Sequence, residues 1–309
     1  MPLKVVELFG YSPDSPKIGE AVRSRHCPFI RGTCRKYFST GMPSGLCSAS
    51  QTQSPKPVIC CPQRLYADDY QILRRVADSA FGAGFPFLTG DWKLPLQTDS
   101  VIPFGQRMGK ELKVKARGAS YSFDWILALV SPDGTLKEFV AVEVQTIDTT
   151  GSYQYQSWEI QHRHESDAIK GFKEPASGKS SNFNFENVNK RIIPQLITKG
   201  HLLRLESLCK KGLFFVCPTP VLDRIIQRLG GKLTEYAMQP GAITFQDYTI
   251  SAEGSVEPFP LIYGKSLTTT LDQVYLAFSA PAHLPEKDSY TRVVQDAVKA
   301  RLSGLVAPR

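Results

Sequence analysis

The 309-residue chain has no apolar run long enough to span a bilayer. Its start, Met1-Pro2-Leu3-Lys4-Val5-Val6-Glu7, lacks the apolar stretch of a secretory signal, so a cytoplasmic location and no membrane partner are expected. No internal repeat and no low-complexity tail interrupts an ordinary globular composition, and the length suffices for one large core or a core plus a small module. Acidic residues are scarce at the N-terminus. Residues 1–64 hold three Asp or Glu against nine Lys or Arg, so most of the chain's net charge of +8 lies there. Such a basic segment favours a polyanionic partner, nucleic acid first and an anionic membrane surface second.

Cysteine is rare outside one window. Five of the seven, Cys27, Cys34, Cys47, Cys60 and Cys61, fall there, leaving only Cys209 and Cys217 elsewhere. In a cytosolic chain this argues against a disulfide framework. The C-x2-C spacing of a common zinc finger is also missing. The intervening residues are rich in Ser, Gly, Pro, Gln and Thr, which bury little surface, so a bound metal is expected to supply the missing stability. Four thiolates in a tetrahedron suit Zn²⁺ or a single iron. Cys27, Cys34 and Cys47 are three of them, and the fourth is Cys60 or Cys61. Cys61 is preferred because Cys-Pro recurs at both ends of the window (Cys27-Pro28, Cys61-Pro62), and His26 is a weaker candidate.

Acidic residues interrupt two apolar segments in mid-chain. Residues 121–130 read as a strand carrying Asp124, and residues 137–145 as a second strand carrying Glu143 and Gln145. Between them Ser131-Pro132-Asp133-Gly134 is a turn. Alternation places Glu143 and Gln145 on one face, with Val142 and Val144 on the other. Asp124 is expected to meet Glu143 across the pair. Two such carboxylates raise each other's pKa unless a cation lies between them, and their oxygens suit Mg²⁺ or Mn²⁺. A solvated acidic edge is the plainer alternative, weakened by the apolar runs on either side. Upstream, Lys110, Lys113, Lys115 and Arg117 suit phosphate contact, and Glu111 is either a further acidic ligand or a solvated side chain.

The remainder reads as alternating strands and helices. Residues 1–20 look irregular, and a core helix spans residues 65–82. Residues 146–158 form a polar, aromatic loop, and His162 and His164 are expected to bind no metal. A helix over residues 183–200 bends or restarts at Pro194. Residues 212–217 form a buried strand with Cys217 packed as a small apolar residue, and 221–229 the helix after it. Further strands are expected at 233–238 and 242–250, with closing helices at 268–278 and 289–302.

Taken together, the phrases Cys27-Pro28-Phe29…Cys34…Gly45-x-Cys47-Ser48…Ile59-x-Cys61-Pro62-x-Arg64, then Phe123-Asp124-Trp125-Ile126 with Glu143-Val144-Gln145, then Asn187-x-x-Lys190-Arg191-Ile192-x-Pro194-Gln195-Leu196-Ile197, resemble the NotI-type restriction endonucleases. The resemblance implies an α/β fold with a PD-(D/E)xK restriction-endonuclease-like core, a mixed sheet flanked by helices. It places that core at residues 67–309, after a four-cysteine DNA-contacting module at residues 1–66 that holds iron or zinc. The doubled Cys60-Cys61 departs from the family's pattern and leaves the fourth ligand open. Asp124, Glu143 and Gln145 become the catalytic set, Gln145 standing where such nucleases usually carry Lys, with Glu111 a further member. The implied activity is a type II, Mg²⁺-dependent double-strand cut by a homodimer. Its double-stranded DNA site is a GC-rich palindrome containing GGCC, such as CGGCCG, cut to leave 5′ overhangs. A cognate DNA methyltransferase is the functional partner. The competing expectations are a sequence-specific DNA-binding protein with an inert sheet, or a structure-selective repair nuclease.

Overall fold

The computed structural model describes residues 3–302, except 52–53, 91, 106–107, 117, 152, 179–180, 252–255 and 281–285. Its first residues form regular elements, contrary to the irregular arm expected. They are β1 (Leu3–Leu8), α1 (Ile18–Ser24), the short strands β2 (His26–Cys27) and β3 (Gly32–Thr33), then β4 (Leu46–Gln51) and β5 (Ser54–Ile59). β1 and β5 pair antiparallel with β4, one on each side. The β4 sequence Leu-Cys-Ser-Ala-Ser has little strand preference, but its small side chains let both neighbours close over it, and all five residues are buried. Leu46, Ala49 and Val58 join the main apolar cluster, so the cysteine-bearing segment buries more surface than its composition suggested.

A 3-10 turn, Pro62–Tyr66, leads into α2 (Ala67–Phe81). Asp68, Asp69 and Tyr70 open that helix in the left-handed region. Non-glycine residues enter it at a cost, here opposed by ring contacts of Tyr70 with Tyr66 and Trp125. Beyond it, β6 (Ser100–Gly105) precedes a hairpin of β7 (Lys113–Ala116) and β8 (Ala119–Ser122). Next come β9 (Trp125–Val130) and β10 (Leu136–Val144), joined by the expected turn, in which the Gly134 amide donates to the Ser131 carbonyl at 2.9 Å. The single strand expected over residues 121–130 is thus two strands, β8 and β9, and Asp124 lies at the bend between them.

Residues expected to form a polar loop instead give β11 (Thr149–Gly151) and α3 (Gln154–Arg163). The helix was hidden because it buries polar side chains, Ser157 and Gln161, which hydrogen-bond to the carbonyls of Ser44 and Pro43. After β12 (Ser181–Phe183), a π-helical turn, Val188–Ile192, runs into α4 (Ile193–Arg204), with Pro194 in its first turn. Proline fits there because the first turn's amides have no partner to lose. β13 (Leu213–Pro218), α5 (Thr219–Arg228), β14 (Ala242–Ile250) and β15 (Leu261–Thr270) follow. Residues 233–238 form no strand; Tyr236 instead donates one amide bond to Thr268 beside β15. The Thr270 hydroxyl caps α6 (Leu271–Ser279), so that helix starts three residues later than expected, and α7 (Ser289–Leu302) ends the described chain.

The main sheet has the order β15-β14-β13-β10-β9-β6. β10, β13 and β14 run parallel, and the remaining pairings are antiparallel, giving a mixed sheet with helices on both faces. α4, α5 and α6 contribute to the apolar cluster on one face, while α2 fills the other against Trp125, Val140, Val142 and Val144. Parallel strands covered on both sides explain the unbroken apolar run Leu213-Phe214-Phe215-Val216.

One buried ion pair fastens the N-terminal sheet to the turn after the cysteines. Arg64 Nε lies 3.0 and 3.2 Å from the carboxylate oxygens of Glu7, and both side chains are fully buried. Ser48 donates to the same carboxylate at 2.8 Å, Arg64 also donates to the Phe259 carbonyl, and its guanidinium lies 4.4 Å over the Phe29 ring. Arg64→Met is expected to lower the unfolding free energy by about 3–5 kcal/mol, because it strands the Glu7 charge, and Glu7→Leu/Arg64→Met to recover most of that loss. Urea unfolding of the three proteins checks this; a single variant within about 1 kcal/mol of wild type would reduce the pair to a spectator.

Candidate active site

The β9–β10 register puts Trp125 opposite Val142, so the bend residue Asp124 lies beside the end of β10. The Val144 amide donates to Asp124 Oδ2 at 2.8 Å, which fixes the carboxylate at that strand end. Along β10, Val140, Val142 and Val144 enter the cluster under α2, and Ala141 enters the opposite one. Glu143 shares the face of Ala141 and is only 4 % exposed. There α4 supplies a cation that sequence reasoning missed: Lys199 Nζ is 2.5 Å from Glu143 Oε1. The same ammonium lies 5.3 Å from the centre of the Phe123 ring. Gln145, just past β10, is half-buried, and its backbone amide donates to Val216 of β13 at 3.0 Å.

Electrostatics follow from this packing. Burial, then the nearby Asp124 charge, pushes the Glu143 carboxyl up to about 7, against the pull of Lys199. Asp124 is also shifted upward, by burial first, with the Val144 amide and Lys199 opposing and Glu111 adding to the rise. Glu111 is therefore an electrostatic neighbour of Asp124, although its side chain also lies 3.9 Å from Lys113. Lys110 is exposed in the preceding loop, while Lys113 and Lys115 are exposed at alternate positions of β7 and so share a face. Arg117 lies outside the described residues.

The cysteines line a cleft of about 660 Å³ that also reaches Tyr66, Asp124, Gln145 and Asp148. Cys27, Cys34 and Cys47 each have their thiol raised, by burial first, and each also feels Cys61. For Cys27 the result is about 11. These four are thus mutual neighbours. Cys60 also borders the cleft, but its thiol contacts the Val58 carbonyl at 3.4 Å and packs in the apolar cluster away from Cys27 and Cys47. The amides of Cys60 and Cys61 both donate to the Cys47 carbonyl, at 2.9 and 3.2 Å, folding the loop over that residue. Lys36 brings an ammonium to the same place, 2.9 Å from the Cys60 carbonyl. The donor set and nearby cation suit a thiolate-bound metal, yet among the described residues no three His, Cys, Asp or Glu side chains are drawn into ligand geometry. His162 stacks on Trp158 with ring centres 4.6 Å apart, in keeping with a histidine that binds no metal.

The lysine on α4 left one sequence signal. Arg191, Gln195 and Lys199 recur at four-residue steps, a polar stripe on a helical segment that otherwise buries Ile192, Ile193 and Leu196. Unaided, such a stripe reads as a solvated helix face.

A raised Glu143 pKa has a measurable consequence for stability. The folded chain holds this proton at pH values where the unfolded chain has released it. Stability from the shift is complete below the ordinary glutamate range and is lost as pH rises through about 7. Glu143→Gln, which keeps an acceptor for Lys199, is expected to melt higher than wild type at pH 8, by about 2–4 °C for each kcal/mol relieved. The gap should close toward pH 5. Melts in chelator check it, and a gap that ignores pH would refute the shift.

A family model described as restriction endonuclease NotI matches residues 21–217, a span that holds the cysteine window, Asp124, Glu143, Gln145 and Lys199. A search of curated proteins finds no match. The matched span covers more than half of the chain, which therefore belongs to the NotI restriction endonuclease family and is a type II site-specific deoxyribonuclease.

Proposed function

We propose that the chain makes Mg²⁺-dependent double-strand cuts at a GC-rich palindrome containing GGCC, with CGGCCG as the site to test first, leaving 5′ overhangs. The observation that carries this reading is the convergence of Asp124 and Glu143 at the end of β10, with Lys199 at 2.5 Å. On this reading the six-stranded sheet is a PD-(D/E)xK core at residues 67–309, and residues 1–66 are the DNA-contacting module. Asp124 and Glu143 hold the catalytic cation, with Glu111 as a further acidic member. A bound Mg²⁺ polarises the scissile phosphate and lowers the pKa of the attacking water. Gln145 carries an amide that takes no proton near neutral pH, so it orients that water by hydrogen bonds. Lys199 leans from Glu143 toward the phosphate and meets the negative charge that develops there. Lys110, Lys113 and Lys115 hold the flanking backbone.

Two copies related by a two-fold axis place one such site on each strand of a palindrome, and a cognate methyltransferase protects the host's own sites. Asp124→Ala and Glu143→Ala are expected to abolish cleavage while DNA binding persists. Digestion of a fully sequenced plasmid with Mg²⁺ and mapping of the fragment ends tests site and overhang together. Wild-type cutting by either variant would overturn the catalytic assignment.

Cys27, Cys34, Cys47 and Cys61 are the proposed ligands of one structural Zn or Fe. Metal analysis is expected to find about one ion per chain, retained by Cys60→Ser and lost from Cys61→Ser. The opposite pattern would exchange the two cysteines, and no metal in wild type would remove the centre.

A further inference from the structure

Beside the catalytic carboxylates lies a second groove, of about 370 Å³. Tyr121 of β8 forms one wall. Lys190 and Arg191 of the π-helical turn, with Gln195, Thr198 and Lys199 of α4, form the other. Three cations and no acidic residue line it, and its Lys199 is the side chain that reaches Glu143 at 2.5 Å. The groove therefore opens onto the reacting centre.

The chain's geometry produces this grouping. A π turn adds a residue to the helical repeat, and such turns concentrate at functional sites. Here Val188 and Ile192 are buried at its two ends, while Lys190 and Arg191 between them face outward. Their side chains are 72 % and 66 % exposed, and their acidic neighbours stand off: Glu186 at 4.0 Å from Lys190, Asp148 at 3.9 Å from Arg191. Exposed pairs at such separations hold little and exchange readily for a stronger anion. Gln195 and Thr198 add hydrogen-bonding groups further along the groove toward Lys199.

We propose that this groove seats the sugar–phosphate backbone of the cleaved strand next to the scissile bond, with Lys190 and Arg191 gripping its phosphates. The proposal rests on the nuclease reading of Asp124 and Glu143 and adds the substrate contact. Grip on phosphates carries no sequence information, so its loss weakens all duplexes alike.

The test uses full-length protein carrying Asp124→Ala, and two labelled duplexes, one centred on CGGCCG and one lacking it. Adding Lys190→Ala and Arg191→Ala is expected to weaken binding to both duplexes by the same factor. It should also flatten the plot of log affinity against log salt by about two units. The control pair Lys232→Ala and Lys265→Ala, exposed at another groove, should leave slope and affinity unchanged. An unchanged slope in the Lys190/Arg191 protein, an equal fall in the control, or weakening confined to the CGGCCG duplex would each overturn the proposal. Failure of the nuclease reading shows separately, as cutting by the Asp124→Ala parent or as no cutting by wild type with Mg²⁺.

Discussion

A carboxylate buried on an interior strand is the constraint on which the site depends. β10 lies between β9 and β13 in a sheet covered on both faces, and Glu143 projects from its end into a nearly closed environment. Ionising it there is unfavourable, and the neighbouring Asp124 makes it more so. Two features keep the arrangement: the Val144 amide that holds Asp124, and the α4 ammonium against Glu143. Remove either and two acids of the same sign face each other with less to hold them. The site thus stores an unmet demand for positive charge, which is the electrostatic condition for binding a cation.

The second buried pair, Glu7 with Arg64, shows what a satisfied carboxylate looks like in the same molecule. Glu7 accepts from a guanidinium and a serine hydroxyl, and Arg64 also reaches a backbone carbonyl. That pair closes on itself and fastens β1 to the turn after Cys61. Glu143 has one cationic partner, a like charge beside it and a cleft nearby. Burial alone does not separate structural acids from reactive ones; the completeness of their partners does.

The sequence exposed those features whose chemistry violates a local pattern. Asp124 and Glu143 were legible because they break apolar runs, and the cysteines because they crowd one polar window. Choosing Cys61 over Cys60 from a repeated Cys-Pro agrees with where the thiols point, since Cys60 packs on the far side. Lys199 was opaque: a lysine on a helix resembles a solvated one until a strand fifty-six residues earlier in the chain is laid beside it. β1 and β4 were missed because the pairing joins segments some forty residues apart, and β4 is built of small residues. α3 was missed because it buries serine and glutamine, leaving no apolar stripe to find.

The loop following β10 joins what the sequence presents as separate modules. Gln145, Thr146 and Asp148 line the cysteine cleft. Asp148 then accepts a hydrogen bond from Asn187 at 2.6 Å and lies 3.9 Å from Arg191, at the mouth of the basic groove. Gln145 is anchored in the sheet through Val216. A shift of the cysteine loops therefore bears on the same four residues that carry the end of β10 toward the π-helical turn. Packed elements transmit such displacements because interiors compress little. The position of the reactive carboxylates and the reach of Arg191 are set together, by one short stretch of chain between the cysteines and the helix that brings the lysine.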